Sequence, residues 1–262
     1  MNSIRIHGSA PYSVALVHGG PGAAGEMAPV AAALSPHAGI LELYQTKYTI
    51  DELVTEMKEQ LLASGHPPVT VIGYSWGAWL GFIFAARHPG LVRKLILVGS
   101  GPFEDAYAKE MMSTRMNRLS SEERGEWNDM MSRLGAGEAL PDLTRLDQLM
   151  TKADTYEPLE DEDMAQAEPV AVNAEQHERI WAEASALRSS GQLLEYGNGI
   201  ACPVVAIHGE HDPHPYQGVF APLTDVLNGI TCILLPRCGH TPWKERHASH
   251  PFYDILGNEL NS

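Results

Sequence analysis

A serine held between glycines at a strand-to-helix corner constrains this chain more than any other feature. Val69 to Ile72 (VTVI) is a short β-rich run bounded by Pro67-Pro68 and Gly73, and Trp76 to Arg87 reads as a helix that His88-Pro89-Gly90 stops. Between the two stands Gly73-Tyr74-Ser75-Trp76-Gly77. A nucleophile at such a corner must adopt a strained backbone conformation, and the flanking glycines let strand and helix backbones pack closely. The pentapeptide alone is moderately specific. Its position between VTVI and an amphipathic helix is the context that exposes a serine oxygen above a sheet.

The rest of the first hundred residues supplies such a sheet. Ser13 to Val17 (SVALV) reads as a buried strand running into the glycine-rich loop His18-Gly19-Gly20-Pro21-Gly22, and Met27 to Leu34 as a short helix. Ile40 to Tyr44 is a second strand. Thr49 to Ser64 is an amphipathic helix with Ile50, Leu53, Val54, Met57, Leu61 and Leu62 at three-to-four spacing, capped by Thr49 or Asp51. Leu95 to Val98 is a further buried strand, and Ile4 to His7 is the one plausible strand before SVALV. Strands alternating with helices at this spacing predict an α/β fold, a mostly parallel sheet covered by helices on both faces.

From Phe103 to about Asn198 the strand pattern vanishes. Glu104 to Leu119, Glu122 to Leu134, Leu143 to Thr155 and Asn173 to Ser189 read as helices, with Ser120 and Glu123 forming a capping box at the second. Strands return at Val204 to Ile207 (VVAI) and Thr231 to Leu235 (TCILL), before a closing helix from about Pro251 to Leu260. Charge follows the same boundaries: residues 103–198 carry 21 acidic and 9 basic residues, whereas 1–102 carry 6 of each. The expected organisation is therefore one α/β core formed by 1–102 and 199–262, interrupted by an all-helical cap at 103–198.

A net charge of −15 would repel nucleic-acid phosphates and anionic lipid surfaces, so neither is expected as a partner. The longest apolar stretch, near Ala78 to Ala86, is far below membrane-spanning length, and MNSIRIHGSAPYS has no apolar core of signal-peptide length. Cys202, Cys232 and Cys238 form no CxxC pair, which argues against a disulfide framework. A soluble, cytoplasmic protein is expected.

A serine hydroxyl is a weak nucleophile that needs a base, and the base needs an orienting partner. Gly209-Glu210-His211-Asp212 follows VVAI and Cys238-Gly239-His240-Thr241 follows TCILL, so both lie past strand ends on the same sheet edge as Ser75. His240 is read as the base and Asp212 as its carboxylate; Glu210 and Asp105, the latter after LILV, are the rival acids. His208, His211, Asp212 and His214 crowd together, but their spacing matches no helical zinc pattern and Pro213 and Pro215 stiffen the loop, so no metal is expected. The loop His18 to Gly22 suits an oxyanion hole, with the N–H groups of Gly20 and Trp76 as donors and His18 in a structural role. Gly19, Gly22, Gly73 and Gly77 support the two motifs. GxxxxGK[ST] is absent, and no cofactor is expected.

With HGGPG at 18–22 and Gly-x-Ser-Trp-Gly at 73–77, the sequence resembles the α/β-hydrolase superfamily over nearly its whole length. Within it the chain looks most like the proline iminopeptidase branch and its related esterases. The resemblance implies a lidded serine hydrolase without a cofactor, acting on a small carboxylic ester or amide. Epoxide hydrolysis and dehalogenation on this fold generally use an aspartate where Ser75 stands. One departure is that the family's Asp-Gln-Arg-Gly-like stretch reads Leu43-Tyr44-Gln45-Thr46-Lys47-Tyr48 here; the family's amine-binding acidic residues lie in the cap, and no motif places them in this sequence. An acidic cap favours small cationic or amine-bearing substrates by its field. Carbon–carbon hydrolysis of a diketone and ligand sensing are the alternatives; an intact Ser75, Asp212 and His240 argue against the sensor.

Overall fold

The computed structural model describes residues 3–135, 143–159 and 173–262. Seven strands, β1 (Ile4–His7), β2 (Tyr12–Val17), β3 (Gly39–Leu43), β4 (Val69–Tyr74), β5 (Val92–Val98), β6 (Val204–Gly209) and β7 (Ile230–Leu235), form one sheet in the order β1-β3-β2-β4-β5-β6-β7. β1 runs antiparallel to β3 and every other pairing is parallel. The core helices before the insertion are α1 (Ala28–Leu34), α2 (Ile50–Ser64) and α3 (Trp76–Arg87).

Side chains alternate across each strand, so one sheet buries two hydrophobic layers. Ala15, Val17, Val69, Val71, Leu95, Leu97, Val204 and Ala206 face α2 and α3, where Leu53, Met57, Leu61, Phe82 and Phe84 complete a buried cluster. Val14, Leu16, Ile72, Tyr74, Ile96, Val98, Val205 and Ile207 face the opposite layer with Val30, Leu34, Phe252 and Leu256. Thr49 caps α2 by accepting from the Glu52 N–H, which resolves the choice between Thr49 and Asp51.

Between β5 and β6 the chain runs through α4 (Asp105–Arg118), α5 (Ser121–Gly135), α6 (Leu143–Asp154), α7 (Ala174–Ser189) and the short α8 (Gln192–Glu195). The predicted capping box forms: Ser120 N–H donates to Glu123 at 2.7 Å and Glu123 N–H donates to Ser120 Oγ at 3.2 Å. Leu119, Trp127, Met130, Leu149 and Ala153 bury one another in a small cluster apart from the two sheet layers. Residues 136–142 and 160–172, within the predicted insertion, lie outside the described residues. After β6 come α9 (Gln217–Val226) and, at the end, α10 (Ser249–Asn261). α9 is not legible in the sequence, because Gly218 and Pro222 sit inside it; Val219 and Leu223 bury its inner face regardless. Among the described residues no helix is long and apolar enough to cross a membrane.

Candidate active site

Ser75 follows the central strand β4 and precedes α3, with φ 52° and ψ −117°, a left-handed conformation rare for a non-glycine residue. The glycines around it are obligatory. A Cβ on Gly73 would stand 2.2 Å from Gly77 O, and one on Gly77 would stand 2.2 Å from Val17 O and 2.4 Å from His18 O. The corner therefore packs directly on the loop after β2. Ser75 N–H donates to Val98 O at 2.9 Å, tying the corner to β5.

The ends of β6 and β7 bring the other two residues in. His240 Nε2 lies 3.1 Å from Ser75 Oγ, and His240 Nδ1 lies 2.8 Å from Asp212 Oδ2. With Nδ1 donating to the carboxylate, Nε2 is left to accept from the serine hydroxyl. The rival acids stand elsewhere: Asp105 pairs with Arg188 and Ser189 at 2.7 Å each, and Glu210 is exposed. Of the four crowded residues, His208, Asp212 and His214 come together, whereas His211 turns away and packs edge-on to Tyr156. Asp212, His214 and His240 are close enough to surround a cation, but their facing atoms are already joined by hydrogen bonds.

The glycine loop is held from several sides. His18 Nδ1 donates to Gly19 O at 2.8 Å while its Nε2 accepts from Gln45 N–H at 3.3 Å. Gly20 and Gly22 both have positive φ, and Gly20 O accepts from Ala23 N–H. Trp76 is the first residue of α3, so its N–H needs a partner from outside the helix.

The sequence model of the alpha/beta hydrolase fold family matches residues 21–245. The chain belongs to that family. Solved structures share the architecture: VinJ superposes with a TM-score of 0.71 at 18% identity, covering 98% of this chain and 94% of that one. Proline iminopeptidase from Mycobacterium smegmatis superposes with a TM-score of 0.62 at 17% identity, covering 98% and 93%. Among curated proteins, epoxide hydrolase 4 of Homo sapiens is 30% identical over 56 residues, a match spanning 21% of this chain and only 16% of that protein.

The electrostatics of this α/β-hydrolase site follow from burial and from Asp212. Burial opposes a charged imidazole at His240, yet the adjacent Asp212 carboxylate, with Asp154 behind it, carries the His240 pKa above the ordinary histidine value. Burial alone would raise the pKa of Asp212; the imidazoles of His240, His214 and His208 hold it well below the usual carboxylate range instead. His18 and His214 are driven down to about 4 by burial and stay neutral. A neutral base beside a hydroxyl, backed by a buried anion, can accept the serine proton and stabilise the imidazolium that results.

Four residues of this α/β-hydrolase site escape sequence reasoning. Gln45 accepts from Trp76 Nε1 at 2.8 Å, donates to His18 O at 3.2 Å, and through its own carbonyl accepts from Gln176 of α7 at 3.0 Å. Asp154 at the end of α6 accepts the His240 N–H at 2.8 Å while Arg115 grips its carboxylate at 2.6 and 2.8 Å. Glu245, buried, accepts from the N–H groups of Gly239, Tyr156 and Glu157 at 2.7 to 2.9 Å, joining the loop of His240 to the segment after α6. Glu26 lies against Gly19, whose main chain hydrogen-bonds its carboxylate, and burial raises its pKa. The only sequence signal for any of them is Gln45, which stands where the family's Asp-Gln-Arg-Gly-like stretch is altered.

Proposed function

We propose that this chain is a serine hydrolase that cleaves a small carboxylic ester or amide through an acyl-enzyme on Ser75. The observation that carries the reading is the hydrogen-bonded chain from Ser75 Oγ through His240 to Asp212, at 3.1 and 2.8 Å. His240 takes the Ser75 proton as Oγ attacks the carbonyl carbon; Gly20 and Trp76 N–H groups stabilise the oxygen that becomes negative; His240 then returns the proton to the leaving group. Water, activated by the same imidazole, hydrolyses the acyl-serine. Epoxide opening in this fold would call for a carboxylate at the corner where Ser75 stands.

The helices of 103–198 serve in this reading as a cap that selects the substrate. Support comes from α6 and α7, which touch His240 and the glycine loop: Asp154 O receives the His240 N–H, and Asn173 N–H donates to Gly22 O at 3.3 Å. The excess of acid in this segment favours amine-bearing substrates, in keeping with the resemblance to proline iminopeptidases. The test is a fluorophosphonate probe on wild type and Ser75→Ala, followed by p-nitrophenyl esters of rising chain length, amino-acid naphthylamides and a diketone. Labelling lost in Ser75→Ala and turnover of an ester or amide are expected. Undiminished labelling of the variant, or turnover of the diketone alone, would overturn the reading.

A further inference from the structure

Asp212 is served by more donors than a carboxylate that only orients one imidazole requires. Its side chain is fully buried, and its two oxygens are treated differently. Oδ1 accepts from His214 twice, from the ring Nδ1 at 2.8 Å and from the main-chain N–H at 2.9 Å. Oδ2 faces His240 Nδ1 at 2.8 Å, with His208 Nε2 farther away at 3.3 Å. His208 in turn is spent on the carbonyl of His214, 2.8 Å from its Nε2. The His214 ring also lies over that of His240, with centroids 4.4 Å apart and planes 29° apart.

We propose that His214 is a positioning residue of the reaction, clamping Oδ1 of Asp212 from ring and main chain so that Oδ2 is reserved for His240. The proposal rests on the reading of Ser75, His240 and Asp212 as the reacting set. Main-chain N–H groups alone would orient a carboxylate, so the imidazole adds two further effects. It walls one face of the His240–Asp212 pair against water, and its N–H draws carboxylate charge away from His240. Donation from Nδ1 requires the proton on that nitrogen. Burial keeps a second proton off the ring until about pH 4, so His214 is a neutral donor wherever His240 works.

Removing that donor should concentrate the charge of Asp212 on His240 and make the base more basic. The other groups facing the pair are His208 from β6, Arg115 and Arg118 from α4, Asp154 from α6, Glu26 after the glycine loop, Tyr74 from β4, Cys238 after β7, and His211. They are common to every variant, so a change confined to residue 214 isolates its contribution.

The experiment compares His214→Phe, which keeps a stacked ring without the N–H, with His214→Asn, whose amide nitrogen can occupy the place of Nδ1. In the phenylalanine variant the pKa governing kcat/KM should rise by roughly half a unit and kcat should fall about tenfold, while the asparagine variant returns both toward wild type. Probe labelling of Ser75 and circular dichroism establish that each variant is folded. An unchanged pKa in a folded phenylalanine variant, or an asparagine variant as impaired as phenylalanine, would reduce His214 to a packing residue. Should the phenylalanine variant fail to fold, ¹⁵N-histidine NMR of the wild type decides: a proton on Nδ1 of His214 at neutral pH upholds the clamp, and one on Nε2 overturns it. Ser75→Ala separates the two levels of failure, because turnover without Ser75 sinks the reacting set itself, whereas an inactive Ser75→Ala beside an unshifted phenylalanine variant sinks only the clamp.

Discussion

Replacing Gly77 with alanine tests fold and site together. The new methyl would lie 2.2 Å from Val17 O and 2.4 Å from His18 O, against a usual carbon–oxygen approach of about 3.3 Å. Both obstacles are main-chain atoms at the end of a central strand, so no side chain can swing aside. The first turn of α3 must therefore back away by roughly 1 Å, taking Ser75 with it. Overpacking of this kind costs about 1–3 kcal/mol, and the rigid surroundings point to the upper end. For a chain of 262 residues that is a fall in Tm of about 6–12 °C, since each kcal/mol moves the midpoint by roughly 2–4 °C. A 1 Å misplacement of a reacting group costs about 10²-fold in rate. The assay pairs thermal unfolding with the rate of fluorophosphonate labelling and with kcat on whichever p-nitrophenyl ester the wild type turns over fastest. An alanine variant with wild-type Tm and wild-type labelling would refute the argument that the corner sits directly on the glycine loop.

Asp212→Asn should keep the fold and lower kcat by about 10⁴, because an amide cannot hold His240 in the Nδ1–H form or stabilise its charged state; a near-normal rate would show that another acid serves the base. The pH profile of kcat/KM should have a single acid limb centred above the ordinary histidine value of about 6.5, with a plateau at higher pH, because His240 acts only when neutral and Asp212 raises its pKa. A limb centred below that value would mean that burial outweighs Asp212. Gln45→Leu removes the amide linking Trp76 and His18, and kcat should fall by about tenfold to a hundredfold with KM little changed; an equal change in KM alone would assign Gln45 to substrate binding.

The sequence by itself determined the layers of this protein and the strand ends that carry Ser75, Asp212 and His240. Buried strands and amphipathic helices announce themselves by periods of 2 and 3.6, which are local properties of the chain, so β2 to β7 and α1 to α7 were legible to within a few residues. α9 was not, since burial of Val219 and Leu223 overrides the poor helical character of Gly218 and Pro222. Ser75, Asp212 and His240 were legible because each follows a parallel strand, and parallel strands end on one edge. Tertiary structure alone decided how they are held. Ser75 and His240 lie 165 positions apart, and the support from Gln45, Asp154 and Glu245 depends on which carbonyl or carboxylate a fold happens to bring within about 3 Å. No pattern in the chain encodes such approaches; they arise from strand register and from the packing of the inserted helices against the core. For the same reason the sequence could not sign the shift at His240, where burial and Asp212 oppose each other and only their distances choose the winner.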